Sequence, residues 1–187
     1  MNSMHQVTVL LIAILAIISV AIAEPLLPNG YYRIFKGIQH VPSQNRYFTA
    51  YPNARAGSVR TEPKDEAKLQ VWRLRNHSKG QVSLQIYDKN ADKRKYLSEG
   101  RSGALPGASL GVTEKAQRWF ITKIAGGPFT RYILTHPRKF RNQTLIVSES
   151  YPYGEDDDKI NWVAFRYQGQ SNHTQAWKFA RVYPEDE

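Results

Sequence analysis

Bulky and polar residues alternate along short stretches of this chain, and turn-forming residues separate the stretches. Gly30-Tyr31-Tyr32-Arg33-Ile34-Phe35-Lys36 is the first of them, and Val82-Ser83-Leu84-Gln85-Ile86-Tyr87 alternates strictly. A period of two turns one side of a segment to an apolar interior and the other to water, which is the pattern of a half-buried β-strand. The pattern predicts strands over residues 30–36, 45–51, 58–61 and 69–74, then 82–87, 94–98, 108–113 and 117–124, then 131–135, 142–147, 161–165 and 176–180. Proline and glycine punctuate them, as at Pro42, at 52–57, at Pro63 and at 100–107. Apart from the apolar N-terminal stretch, helix formers gather only at 65–68, one turn's length.

The predicted strands fall into three quartets, and each quartet ends on the same signature. Gln70-Val71-Trp72, Gln117-Arg118-Trp119 and Gln175-Ala176-Trp177 repeat Gln-x-Trp, with an apolar residue two positions on at Leu74, Ile121 and Phe179. Three of the four tryptophans in the chain lie in this one context. A period near 50 residues marks a repeat architecture. One quartet cannot bury its apolar face alone, so three quartets must share a core. The expected fold is an all-β β-trefoil: three repeats of four strands, forming a pseudo-threefold barrel with a hairpin cap. The expected core is Ile34, Phe48, Val59, Trp72, Ile86, Leu97, Leu110, Trp119, Leu134, Leu145, Val163 and Trp177.

The triple Gln-x-Trp resembles the ricin B-type lectin family and its fungal relatives, and the resemblance spans residues 24–187. In that family the indole fills the core and the Gln side chain ties neighbouring backbone, so the motif speaks for the fold, and for sugar binding only by association. The opening Leu27-Pro28-Asn29-Gly30-Tyr31-Tyr32-Arg33-Ile34 also resembles fungal β-trefoils that inhibit cysteine and serine proteases. Sugar-binding repeats of the family carry an early Asp, an aromatic platform and an Asn near Gln-x-Trp. Here Leu69, Ala116 and Thr174 precede the glutamines. The resemblance therefore implies no complete sugar site. Repeat two comes nearest, with Asp88, Asn90, Asp92 and Tyr96 as candidate carbohydrate-binding residues. A carboxylate accepts sugar hydroxyls, an amide both donates and accepts, and an aromatic face stacks on the pyranose.

The N-terminus changes where such a protein would work. Residues 7–22 are apolar and uncharged and end at Ala21-Ile22-Ala23, so residues 1–23 read as a signal peptide and 24–187 as one secreted, extracellular domain. No other segment is long and apolar enough to span a membrane, so no stable insertion is expected after cleavage. The chain has no cysteine, so burial must stabilise it without disulfides or thiol chemistry. Asn76, Asn142 and Asn172 each begin an Asn-x-Ser/Thr triplet and are candidate glycosylation sites on surface loops. The formal net charge is +10. That favours acidic partners, with glycans or an extracellular protease as the expected classes and nucleic acid excluded by the absence of any recognisable module.

Two loops offer alternatives to sugar binding. Pro52-Asn53-Ala54-Arg55-Ala56-Gly57 sets Asn53 and Arg55 where a trypsin-like protease would find a basic primary residue. Gly103-Ala104-Leu105-Pro106-Gly107 is a second, apolar candidate. Tyr151 to Lys159 combines aromatics with four consecutive acids but lacks the spacing of a calcium loop. His40, His77, His136 and His173 are scattered, and no catalytic motif appears, so a binding protein without cofactor or metal is expected rather than an enzyme. An extended, protruding 52–57 loop would favour the inhibitor. A concave site in repeat two with an acid and an exposed aromatic would favour the lectin.

Overall fold

The computed structural model describes residues 26–37, 45–53, 58–124, 130–150, 161–169 and 175–184. They form twelve strands: β1 (Gly30–Lys36), β2 (Arg46–Tyr51), β3 (Ser58–Glu62), β4 (Val71–Asn76), β5 (Gln81–Ile86), β6 (Tyr96–Glu99), β7 (Leu110–Thr113), β8 (Trp119–Ile124), β9 (Arg131–Thr135), β10 (Leu145–Ser150), β11 (Asn161–Tyr167) and β12 (Lys178–Val182). The pairing is antiparallel throughout and separates the strands into two sets. β1 pairs with β4, β4 with β5, β5 with β8, and β8 with β9. The ring closes as Tyr132 of β9 exchanges backbone hydrogen bonds with Trp177 and β12 returns to β1.

The other six strands are three hairpins, β2–β3, β6–β7 and β10–β11. They join one another through β3–β7, β3–β11 and the bridge Ser109–Ala164, and so cap one end of the ring. Each hairpin pairs only briefly with a barrel strand, at Phe35–Tyr47 and Lys36–Arg46, at Gln85–Tyr96 and at Thr135–Ile146. This is the β-trefoil that the three quartets predict.

The tryptophans explain why the quartets repeat. Trp72, Trp119 and Trp177 are fully buried. A buried indole N–H must find an acceptor. Trp72 Nε1 donates to Phe48 O at 3.1 Å, Trp119 Nε1 to Leu97 O at 3.2 Å and Trp177 Nε1 to Val147 O at 2.9 Å. In every repeat the closing barrel segment is therefore bonded to the first strand of the cap hairpin. The glutamines tie backbone as well. Gln70 Nε2 donates to Pro63 O at 2.8 Å, Gln117 Oε1 accepts from Glu99 N at 2.7 Å, and Gln175 Nε2 donates to Tyr167 O at 3.1 Å.

All twelve predicted core residues are buried. Phe48 packs edge-on to both Trp72 and Trp177, at 6.4 and 4.4 Å between ring centroids, and so links two repeats. Several strands start later than the alternation predicts, β10 by the most. β10 begins at Leu145, not at residue 142, because Arg141 and Asn142 both take positive φ, 48° and 61°. Phe140 and Gln143 exchange backbone bonds across them, which makes a two-residue hairpin turn of the kind that demands positive φ at both central positions. Lys79 and Gly80, at φ 61° and 67°, turn β4 into β5 likewise. The helix formers at 65–68 make only a turn, in which Asp65 Oδ1 accepts from Ala67 N at 3.0 Å.

Trp119→Phe would orphan the Leu97 carbonyl and leave a void, and is expected to cost about 2–4 kcal/mol in urea unfolding. Trp162, half-buried and outside the repeated motif, is expected to cost about 1 kcal/mol or less on the same change.

Candidate functional site

The pseudo-threefold axis lets equivalent positions be compared. Ala50, Glu99 and Glu149 each lie two residues beyond the carbonyl that receives an indole bond. Lys36, Ile86 and His136 each lie four residues beyond the barrel residue that pairs with a motif tryptophan. At two junctions between repeats the acid of one repeat meets the base of the next. Glu149 is buried and accepts from Lys36 Nζ at 2.7 Å and Asn161 Nδ2 at 3.1 Å, with Thr61 Oγ1 donating too. Glu99 accepts from His136 Nε2 at 3.0 Å and from the Arg138 guanidinium. Burial works against the Glu99 charge, but the bonds from Arg138 and His136 outweigh it and hold its carboxyl below the ordinary glutamate value.

At the third junction the pair is Ala50 and Ile86, and neither can form a bridge. Both line a cleft of about 850 Å³ that opens there, between repeats one and two. A methyl at position 50, where the other repeats place a carboxylate reaching across, leaves that space unfilled.

The cleft gathers residues from both repeats. Tyr31 and Arg73 come from neighbouring barrel strands, paired across β1 and β4. The Arg73 guanidinium lies 5.7 Å from the Tyr31 ring centroid, and the Tyr87 ring meets Tyr31 edge-on at 5.0 Å. Asp88 begins a turn and accepts from Asn90 N at 3.0 Å, which holds the turn's shape. Tyr51 bonds Glu62 through its hydroxyl. Its phenol is pushed above the ordinary tyrosine value, first by burial and then by that bond.

Asp88, Asn90 and Asp92 all line this cleft, as does Asn53 from the opposite wall. Tyr96 does not; it sits in β6 opposite Gln85 and Thr113. Arg55, the acidic stretch 151–159 and Asn172 lie outside the described residues. The loop 103–107 is folded on itself, with Leu105 N donating to Gly103 O at 3.0 Å and Ala108 N to Leu105 O at 3.0 Å, rather than extended. Asn142 is exposed at its turn. Asn76 is not in a loop: it ends β4, and its Nδ2 donates to Leu27 O at 2.9 Å and to Asn29 Oδ1 at 3.0 Å. Among the described residues no three His, Asp or Glu side chains are grouped to hold a metal ion.

Sequence reasoning missed Tyr31, Arg73, Tyr87 and Ala50. The first two belong to repeat one and the acids to repeat two, and only the topology brings them together. Ala50 was open to detection: aligning the repeats on Gln-x-Trp sets it against Glu99 and Glu149.

Two solved structures share this architecture. The designed threefold-symmetric protein ThreeFoil matches with a TM-score of 0.58 at 16% identity, over 82% of this chain and 99% of its own. The Rhizoctonia solani agglutinin matches with a TM-score of 0.58 at 15% identity, over 83% of this chain and 97% of its own. At such identity the likeness is one of fold, a β-trefoil. No protein-family model and no curated protein matches the chain.

The Glu99 junction has a defined pH signature. Its carboxyl is depressed in the folded state, so its contribution is complete above the unfolded value of about 4.3 and is lost as pH falls through the folded value. Between about pH 6 and pH 2.5 the thermal midpoint of the natural protein should fall further than that of Glu99→Gln. Parallel curves would show that the pair contributes nothing.

Proposed function

We propose that this is a secreted carbohydrate-binding protein, a lectin-like β-trefoil without enzymatic activity, whose saccharide lies in the cleft between repeats one and two. The observation that carries the reading is the convergence of Asp88, Asn90, Asp92 and Asn53 with the tyrosines Tyr31, Tyr51 and Tyr87 on one concave surface. A volume of about 850 Å³ suits a ligand of one to a few sugar rings, within the usual range of about 300–1,000 Å³. Carboxylates and amides are the groups that accept and donate to vicinal hydroxyls, and tyrosine rings offer apolar faces to pyranose C–H groups. The fold supports the reading by association, since one of its solved neighbours is an agglutinin. Secretion rests on the apolar, uncharged stretch at residues 7–22 and its Ala-x-Ala end. The protease-inhibitor reading places its Arg55 outside the described residues, and the cleft gives it no support.

Asn90 is exposed on the cleft's turn, so Asn90→Trp should fill the cleft and spare the fold. Binding on a glycan array should fall by about tenfold or more with an unchanged thermal midpoint. Full binding in this variant, or no saccharide bound by the natural protein, would contradict the assignment.

A further inference from the structure

We infer that the saccharide this cleft selects is acidic, bearing a carboxylate or a sulfate ester held by Arg73 and Arg94; the inference rests on the cleft being a carbohydrate site. Cations outnumber acids along its wall: Lys68, Arg73, Lys93, Arg94 and Lys95 face Asp88, Asp92 and Glu114. The lysines are engaged. Lys68 bonds Glu62 at 2.7 Å, Lys93 pairs with Glu114 at 3.2 Å, and Lys95 Nζ reaches Pro52 O at 3.4 Å. The arginines are not paired with acids: among the described residues neither Arg73 nor Arg94 meets a carboxylate.

The two arginines differ usefully. Arg94 is exposed on the loop after the Asp88 turn. Arg73 is half-buried on β4 and lies over the Tyr31 ring, which Tyr87 supports from the side. A guanidinium already oriented over an aromatic ring loses less freedom on binding, and its planar fork matches the paired oxygens of a carboxylate or sulfate. Asp88 directs one oxygen into its own turn and keeps its second, with the Asp92 carboxylate, to accept sugar hydroxyls. The cleft thus offers cations for an anionic group and acids for the hydroxyls of the ring that carries it. The net charge of +10 adds steering toward polyanions.

The test titrates four oligosaccharides of one backbone into the protein by calorimetry: chondroitin with its carboxylate only, chondroitin sulfate, carboxyl-reduced chondroitin sulfate, and carboxyl-reduced chondroitin, which is neutral. At least one charged form should bind about tenfold or more tighter than the neutral one, and the two singly charged arms distinguish carboxylate from sulfate. Arg73→Gln/Arg94→Gln should reduce that preference to about threefold or less. Lys139→Gln/Arg141→Gln, which removes the same charge from outside the cleft, should preserve it. Equal affinity for charged and neutral forms overturns the inference and leaves the carbohydrate reading standing. Equal loss in the control pair also overturns it, because overall charge would then explain the preference. Binding of none of the four, together with an empty glycan array, removes the carbohydrate reading and this inference with it.

Discussion

Three hydrogen bonds from buried indoles to buried carbonyls hold this molecule in its shape. Each joins the end of a repeat to the hairpin in the middle of that repeat, and so fastens barrel to cap three times. The constraint is strict because neither partner has access to water: Trp72, Trp119 and Trp177 are fully buried, as are Phe48, Leu97 and Val147. No disulfide shares the load, since the chain has no cysteine. Once these bonds fix the axis, the rest of the core follows from alternation, and the positions between the repeats become comparable.

That comparison locates the cleft. Two of the three junctions close with an acid from one repeat against a base from the next, Glu149 with Lys36 and Glu99 with His136 and Arg138. The first junction places Ala50 and Ile86 at the equivalent positions, and there the cleft opens. In the proposed reading, a symmetric fold gains its binding site by leaving this junction unfilled. Where the other junctions place a bridge, this one presents a cleft, lined by the turn at 88–95 and by strand residues such as Arg73 and Gln85.

Much of the fold was legible in the chain because its determinants are local. The Gln-x-Trp motifs recur in the sequence itself, and strict alternation such as Val82-Ser83-Leu84-Gln85-Ile86 names its own buried face. Strand ends were less legible. Arg141 and Lys79 adopt positive φ although neither is glycine, and the residue type alone does not announce that. Part of the cleft's lining was legible as well, since Asp88, Asn90 and Asp92 crowd one turn, whereas Tyr96 lies outside it. Tyr31 and Arg73 reach the cleft only through the pairing of β1, β4 and β5, a tertiary fact that no window of sequence contains.

The central claim is that one of three equivalent junctions is the binding site, and amide chemical-shift mapping during a saccharide titration tests it most directly. With the tightest oligosaccharide from the array, shifts should concentrate at residues 50–53 and 86–95, and the equivalent segments around Glu99 and Glu149 should stay still. Shifts of similar size at all three junctions, or confined to the two that are bridged, would contradict the account.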